Sequence, residues 1–317
     1  MKLAVLSDIH SNYPALQAVA EHIQTWAPDA VVVAGDLVNR GPRPLECLRF
    51  VQEKQKSCGW LTLLGNHEEY VLKNAQNLEL ENGILAEIRR SSLWTYQQLQ
   101  GDVSALQAMP FKVSLPAPDG TEIRLTHASM LGTRIGVYWH TPDADLPDLI
   151  GSPLPPLFCV GHTHMPLTLR SHGTLVVNAG SAGLPFDGDT HPSYAQMTWN
   201  KGHWNAKIVR VNYDRAQAER DFTETGFLDN GGPLARLMLT ELRTAHSQLY
   251  QWTIRYEKAL LAGAITMEES VNQFSHTNMD SRLYAVGRFM RYMPAPVKRY
   301  IAGRLVSRGK RRVESSD

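Results

Sequence analysis

Buried strands and amphipathic helices alternate along the first hundred residues of the chain. Short apolar runs at residues 2–7, 30–34 and 60–64 are bounded by turn residues, which is typical of strands covered on both faces. Between the first two runs, apolar residues recur at helical spacing from Leu16 to Ile23. This alternation predicts parallel strands joined by crossover helices.

After Pro110 the pattern changes to closely spaced strands that are separated by turns. Strand-like runs follow at residues 111–115, 121–126, 157–160, 167–170, 174–178, 194–199 and 204–211. Their spacing, without helical sequence between most of them, favours antiparallel additions and a second sheet. The Pro- and Asp-rich stretch 139–156 is predicted to be a loop.

The last hundred residues return to a helical pattern. One amphipathic stretch is predicted to contain Leu234, Leu237, Leu239, Leu242 and Leu249. We therefore divide the chain into a first domain, residues 1–213, and a helical C-terminal extension, residues 214–317. Within the extension, residues 282–312 contain ten Lys or Arg and no Asp or Glu. Such a run is typical of a solvated helix face, and a surface that binds RNA, DNA or acidic lipid is the alternative.

The composition is that of a soluble globular protein, with 317 residues, 43% hydrophobic, 20% charged and a formal net charge of +1. Its three cysteines, Cys47, Cys58 and Cys159, argue against a disulfide scaffold and are typical of the reducing cytoplasm. The first residues fit a strand better than a signal peptide, and no apolar run approaches the roughly 20 residues of a membrane span. We therefore expect a cytoplasmic protein without a transmembrane segment.

Polar side chains follow five of the predicted strands at the point where each strand ends. The segments are Ser7-Asp8-Ile9-His10, Gly35-Asp36, Gly65-Asn66-His67, Thr126-His127 and Gly161-His162-Thr163-His164. Alternate residues of an extended strand point to the same side, so Asp8 and His10 are expected to face one pocket. A mixture of carboxylate, imidazole and amide is what a pair of divalent metals needs. Each segment alone has a structural explanation, but the five together favour function.

The ligand types indicate how two cations would share these residues. The first cation is predicted to bind Asp8, His10, Asp36 and His164, and the second Asp36, Asn66, His127 and His162. Mixed nitrogen and oxygen ligands favour transition metals, so we expect manganese, with iron, zinc, nickel or cobalt as alternatives. Two such cations bridged by Asp36 would lower the pKa of a shared water, and the hydroxide would attack phosphorus.

Three further residues are assigned to catalysis and substrate binding. His67 follows the ligand Asn66 without being needed as a ligand, and an imidazole with an ordinary pKa is suited to protonate the leaving oxygen. Arg40, four residues after Asp36, is predicted to hold a phosphate oxygen in forked geometry. Asn12, close to Asp8 and His10 in the sequence, is also assigned to substrate binding.

The order Asp-x-His, Gly-Asp, Gly-Asn-His and Gly-His-x-His resembles the motifs of the calcineurin-like metallophosphoesterase superfamily. The resemblance covers about residues 1–200, and residues 177–185 are similar to the Asn-Pro-Gly-Ser-x-Gly segment of its small prokaryotic phosphodiesterases. It implies an α/β fold, a four-layer α/β/β/α sandwich of two mixed sheets with the dinuclear site at the strand ends. It also implies the ligand roles given above, with His67 as the proton donor and the helical extension outside the shared fold.

The chain departs from the family pattern beside the site. Residues 35–41 are similar to the protein phosphatase and diadenosine tetraphosphatase branches, in which an Asp stands at the position of Asn39 and pairs with the catalytic histidine. Asn39 is therefore assigned to catalysis as a neutral partner, so we expect His67 to be a less basic donor. Phe186 stands where the prokaryotic diesterases have an Arg, which removes a charged contact from that position.

These features predict a metal-dependent phosphoesterase that acts on phosphodiesters, phosphomonoesters or both. A dinucleoside polyphosphate hydrolase and a protein phosphatase are alternatives because of Arg40, and a nuclease is an alternative because of the basic residues 282–312. The non-catalytic scaffold of the retromer branch is disfavoured, because His67 and every predicted ligand are present.

Overall fold

The computed structural model describes residues 1–76 and 83–276, so the basic segment 282–312 lies outside the described residues. In this part of the chain ten strands form two sheets of five strands each. The strands are β1 (Lys2–Leu6), β2 (Ala30–Val33), β3 (Leu61–Thr62), β4 (Lys112–Pro116), β5 (Glu122–Thr126), β6 (Leu157–Val160), β7 (Leu167–Ser171), β8 (Thr174–Asn178), β9 (Ser193–Asn200) and β10 (His203–Arg210).

Helices occupy most of the remaining described residues. They are α1 (Tyr13–Trp26), α2 (Pro44–Cys58), α3 (Asn66–Gln76), α4 (Ile84–Ile88), α5 (Arg90–Gln98), α6 (Ser104–Gln107), α7 (Leu146–Ile150), α8 (Arg215–Glu224), α9 (Phe227–Asn230), α10 (Ala235–Thr244), α11 (Leu249–Leu261) and α12 (Met267–His276). Within residues 1–76 and 83–276, no helix combines the length and the apolar character that a membrane crossing requires.

Both sheets are mixed. The first has the order β10-β9-β1-β2-β3, in which β1, β2 and β3 are parallel, as predicted, and β9 and β10 are antiparallel additions. The second has the order β4-β5-β6-β8-β7, and its three central strands are parallel. Antiparallel strands are thus added after Pro110, as expected, at β4, β7, β9 and β10, whereas β5, β6 and β8 pair in parallel with one another.

The connection between the parallel strands β5 and β6 contains a short helix that the sequence pattern hides. Residues 139–156 are not a plain loop, because α7 lies within them and forms part of the connection from β5 to β6. Pro147 occupies the first turn of α7, where a missing N–H has no cost. Leu149 and Ile150 are buried against Phe158 on the outer face of the second sheet.

Apolar side chains separate the layers. One core lies between the two sheets and includes Leu3 and Val5 from the first sheet and Leu125 and Val177 from the second. A second core covers the other face of the first sheet with α1 and α2. Together with α7 on the far side, these cores give the predicted four-layer α/β/β/α sandwich.

The helical extension packs onto the sandwich. Its apolar cluster includes Phe222, Leu237 and Trp252, and also Trp94 and Leu184 from the first part of the chain. The predicted leucine stretch is not one helix, because α10 ends at Thr244, the following Ala245 has a left-handed φ of 51°, and Leu249 begins α11. The division into domains at residue 213, which falls between β10 and α8, stays a prediction.

Candidate active site

The loops after β1, β2, β3, β5 and β6 meet at one edge of the sandwich, where the carboxyl ends of the parallel strands lie. Backbone hydrogen bonds join the first two loops, since the N–H of Asp8 donates to Gly35 O at 3.1 Å and that of His10 to Asp36 O at 3.0 Å. The polar segments predicted from the sequence are therefore adjacent in the fold.

Left-handed backbone conformations aim the side chains in these loops. Positive φ angles occur at Asp8 (56°), His10 (49°), Ser11 (57°), Asp36 (53°), Asn39 (71°), Arg40 (64°), His162 (68°) and His164 (58°). Each costs of order 1–3 kcal/mol for a residue other than glycine, so the surrounding contacts must hold it. Strand alternation is therefore the wrong reason for Asp8 and His10 facing one pocket, because β1 ends at Leu6 and tight turns direct the two side chains.

The first group of ligand atoms comes from four buried residues, Asp8, His10, Asp36 and His164, and these atoms lie within 4.8 Å of one another. His164 Nε2 is 3.3 Å from Asp8 Oδ1, and His10 Nε2 is 3.1 Å from His164 Nε2. Asp36 Oδ2 lies 3.7 Å from His10 Nε2. These are the four residues predicted for the first cation.

The second group shares Asp36 with the first. The ligand atoms of Asp36, His127 and His162 also lie within 4.8 Å of one another, and His127 Nε2 is 3.3 Å from Asp36 Oδ2. Asn66 Oδ1 completes the group, at 3.1 Å from His127 Nε2 and 2.9 Å from His162 Nδ1. The structure thus brings together all four residues predicted for the second cation.

Backbone carbonyls fix the tautomer of three of these histidines. A carbonyl oxygen can only accept, so Nδ1 donates to Ala34 O in His127 (2.8 Å), to Asn39 O in His10 (3.3 Å) and to Leu184 O in His164. In the neutral ring the Nε2 atom then carries a lone pair. Rings held in this way are typical of metal-ligating histidines.

The donor set fits divalent cations. In the first group the Nε2 lone pairs of His10 and His164 face each other beside carboxylate oxygens, an arrangement that is repulsive without a positive charge. Asp8 Oδ1 is buried and has no hydrogen-bond partner among the described residues, while Oδ2 accepts from the His162 N–H at 2.8 Å. Buried carboxylate oxygens without a partner are rare unless a cation balances them.

Electrostatics at the shared carboxylate also favour positive charge. Burial opposes a charge on His127, but the adjacent Asp36 carboxylate outweighs it and raises the pKa of His127 to about 10. For Asp36, burial acts to raise the pKa, but the charge on His127 holds it well below its usual range. Burial lowers the pKa of His162 to about 4, so this ring is neutral and free to act as a ligand.

A chain of hydrogen bonds sets the orientation of His67. The backbone N–H of Arg40 donates to Asn39 Oδ1 at 2.8 Å, so the Asn39 amide nitrogen faces His67 Nδ1 at 3.0 Å and donates to it. The remaining proton of His67 is therefore on Nε2. Burial, with a smaller contribution from the positive charge of Arg40, lowers the pKa of His67 to about 3. Asn39 does not counter this shift, because it has no charge.

The two residues assigned to substrate binding have protein partners. Arg40 Nη2 donates to Glu241 Oε2 at 2.6 Å. Asn12 caps α1, since its Oδ1 accepts the Ala15 N–H at 3.2 Å, and its amide donates to Gly183 O at 2.8 Å. A substrate-binding role for Asn12 stays a prediction.

The model of the calcineurin-like phosphoesterase family matches residues 1–166, a little over half of the chain. The chain belongs to this family. Its membership makes the protein a hydrolase, as predicted, and it agrees with the cluster of metal-ligand side chains at the strand ends.

Individual proteins and a solved structure are also similar to this calcineurin-like phosphoesterase. An uncharacterized protein of Methanocaldococcus jannaschii is 29% identical over 234 residues, which are 68% of this chain and 89% of that protein. The symmetrical bis(5'-nucleosyl)-tetraphosphatase of Stutzerimonas stutzeri is 51% identical over 81 residues, but these are only 25% of this chain and 28% of that protein. The crystal structure of a metallophosphoesterase from Sphaerobacter thermophilus has a TM-score of 0.60 at 25% identity, and covers 77% of this chain and 100% of its own.

Glu68 is a residue of the phosphoesterase site that sequence reasoning missed. Its side chain is fully buried, and its carboxylate accepts the N–H groups of Asp36 (2.8 Å), Val38 (3.1 Å) and Gly65 (2.9 Å). Glu68 thus joins the loop that carries Asp36 to the start of α3, which carries Asn66. An acidic residue in the first turn of a helix gives no sequence signal for this role, because such residues are common there.

Arg134 was also missed, because it lies in the connection that the sequence pattern left without structure. Its guanidinium lies over the ring of Tyr70 at 5.1 Å, and Tyr70 contacts the His67 ring edge-on at 5.3 Å. Glu69 holds Arg134 by an ion pair of 2.6 Å. The ring of Tyr70 therefore connects Arg134 to His67, whereas Arg40 is paired with Glu241 of the extension.

Proposed function

We propose that the protein is a dinuclear-metal phosphoesterase that hydrolyses phosphodiesters or accessible phosphomonoesters. The observation that carries the proposal is the pair of ligand groups that share Asp36, each with the residues expected from the sequence. Two bound divalent cations, manganese being the first expectation, would act as Lewis acids toward the phosphoryl oxygens and would acidify water.

The residues around the two groups have separate tasks in this proposal. Asp36 holds the two groups together, and His127 and His164 are oriented by carbonyl oxygens so that their Nε2 atoms face the centre. His67 presents its Nε2–H to the leaving oxygen, because Asn39 occupies its Nδ1. Hydrogen bonding to the leaving oxygen stabilises the charge that develops there, and the negative charge of a bound phosphoester raises the pKa of His67 toward proton transfer.

A second candidate is hydrolysis of dinucleoside polyphosphates. It is supported by the 51% identity over 81 residues with a symmetrical bis(5'-nucleosyl)-tetraphosphatase. The match is confined to a quarter of the chain, and Asn39 differs from the Asp that the resemblance implies for that branch. We therefore rank this activity second.

Initial rates of the full-length protein test the proposal. Metal-stripped protein is titrated with Mn, Ni, Co, Zn and Mg, with bis-p-nitrophenyl phosphate, p-nitrophenyl phosphate and diadenosine tetraphosphate as substrates. We expect turnover that requires metal and that is highest on a nitrophenyl ester. Preferential cleavage of diadenosine tetraphosphate would establish the second candidate, and two bound metals without turnover on any substrate would contradict both.

The variant His67→Ala belongs in the same assay. It should keep its metal content and should lose more turnover on esters with poor leaving groups than on nitrophenyl esters, whose leaving oxygen needs little protonation. Equal losses on both kinds of ester would remove His67 from the role of proton donor.

A further inference from the structure

One carboxylate of the helical extension reaches the edge of the active site. Glu241 in α10 is fully buried, and its Oε2 accepts from Arg40 Nη2 at 2.6 Å. A carboxylate and a guanidinium are removed from water together only where their geometry and remaining hydrogen bonds are good, because the desolvation of each costs several kcal/mol. The pair is therefore a specific contact between the extension and the loop after β2.

The other oxygen of Glu241 is fixed within the extension. Its Oε1 accepts the backbone N–H groups of Gln248 at 2.8 Å and Leu249 at 2.9 Å, which are free donors at the start of α11. The carboxylate is thus held by α11 on one side and by Arg40 on the other, and it has little freedom to rotate.

Arg40 is also held from the side of the metal-ligand residues. The centre of its guanidinium lies 5.5 Å from the ring of Phe186, and Phe186 stacks on the ligand ring of His164 with a centroid distance of 4.1 Å and an interplanar angle of 7°. Its backbone has a left-handed φ of 64°. These contacts place the guanidinium between the first ligand group and the extension.

The guanidinium keeps hydrogen-bonding capacity that Glu241 does not use. Arg40 Nε is buried and has no partner among the described residues. Arg40 and the ligand residue His10 line a small cavity of about 10 Å³, which they share with Asp221 and apolar residues of the extension and which has room for a single water. The guanidinium is therefore not fully packed in by protein atoms on the side of the first ligand group.

We propose that Glu241 is a positioning residue that fixes Arg40 for binding a phosphate oxygen, so that the helical extension completes the substrate site of the sandwich. The proposal rests on the substrate role of Arg40 in the proposed function. An arginine that is already held by a carboxylate loses less rotamer freedom when it binds phosphate, and this preorganisation increases affinity.

The test uses inorganic phosphate as a probe, with the full-length, metal-loaded protein. Its dissociation constant is measured by equilibrium dialysis, and KM and kcat are measured on the better nitrophenyl ester. Glu241→Gln is expected to raise the phosphate dissociation constant and KM about tenfold, with a much smaller change in kcat and an unchanged metal content. Arg40→Ala is expected to have at least the same effect, and adding Glu241→Gln to it should cause no further loss, because Glu241 acts through Arg40.

Glu219→Gln is the matched control. Glu219 lies in α8 and pairs with Arg215 at 3.2 Å and with Arg243 of α10, the helix that carries Glu241, at 2.8 Å. Its replacement therefore perturbs the extension and is expected to leave phosphate binding unchanged. If Glu241→Gln does not fold, Glu241→Asp retains the charge but withdraws it from Arg40, and it should weaken phosphate binding by several fold.

The proposal is overturned if a folded Glu241 variant binds phosphate as tightly as the wild type while Arg40→Ala binds it more weakly. It is also overturned if the double variant loses as much affinity as the two single variants together. If Arg40→Ala does not change the phosphate dissociation constant or KM, Arg40 does not bind substrate, and the proposal for Glu241 is wrong as well. Metal-dependent turnover of the wild-type protein is measured separately, so it still decides the proposed function.

Discussion

The two ligand groups share Asp36 but lie in different surroundings. The first group is entirely buried, and behind it Phe186 stacks on His164 and Glu241 of the extension holds Arg40. The second group is open at His162, which is partly exposed, and the nearby connection from β5 to β6 carries Arg134. The extension thus contacts the surroundings of the first group, so we expect the substrate to approach from the side of the second group and its phosphate to reach Arg40 from there.

Asp36→Asn tests whether the two halves depend on one shared carboxylate, and it should have the largest effect. An amide cannot supply two anionic oxygens, so we expect turnover to fall at least about a thousandfold and bound metal to fall from two per chain toward none. Elemental analysis and initial rates measure both. Asp148→Asn, at an exposed position on α7, is the control, and a variant of Asp36 that keeps its turnover would end the two-metal interpretation.

His164→Ala and His162→Ala separate the halves. Each variant should lose about one metal per chain and at least about a hundredfold in turnover, because each removes a ligand from one group only. Metal titration followed by calorimetry would show one remaining site in each case. Loss of both metals from either variant would mean that the two cations bind cooperatively. The two ligand groups could then not be treated as separate binding sites.

Glu68→Gln should have the smallest effect and should act on stability. The amide keeps one acceptor oxygen but places an N–H₂ group toward backbone donors, so we expect a loss of about 1–3 kcal/mol. In a chain of this size that corresponds to a fall in Tm of several degrees, measured by thermal denaturation of the metal-free protein. Glu69→Gln, at the neighbouring position, removes the charge of a partly exposed carboxylate and serves as the control for Tm. An equal Tm for the two variants would contradict the role of Glu68.

Much of the fold and of the site was accessible from the sequence. The strand-like runs and the polar residues after them predict the layers, the parallel core of the first sheet and the residues that meet at its edge. These signals are local, because a buried strand and its following loop are neighbours in the sequence. The same locality explains why Asp8, Asp36 and His164 were identified without knowledge of their φ angles.

The missed features are those that depend on distant partners. Glu68 has an ordinary position in the first turn of a helix, and only the fold shows which N–H groups it accepts. The partner of Arg40 is Glu241, two hundred residues later in the chain, and no periodicity connects them. The helix α7 was hidden by its Pro and Asp content, because the apolar side chains that define it are few.

The pairing of Arg40 with Glu241 also has a consequence for the order in which the site is completed during synthesis. Every side chain that we predict to bind metal lies within the first 164 residues, whereas Glu241 emerges from the ribosome much later. Because N-terminal parts of a chain generally fold first, the predicted metal ligands of a nascent chain can come together before Glu241 is available to hold Arg40. Competence to bind metal would then precede competence to hold substrate.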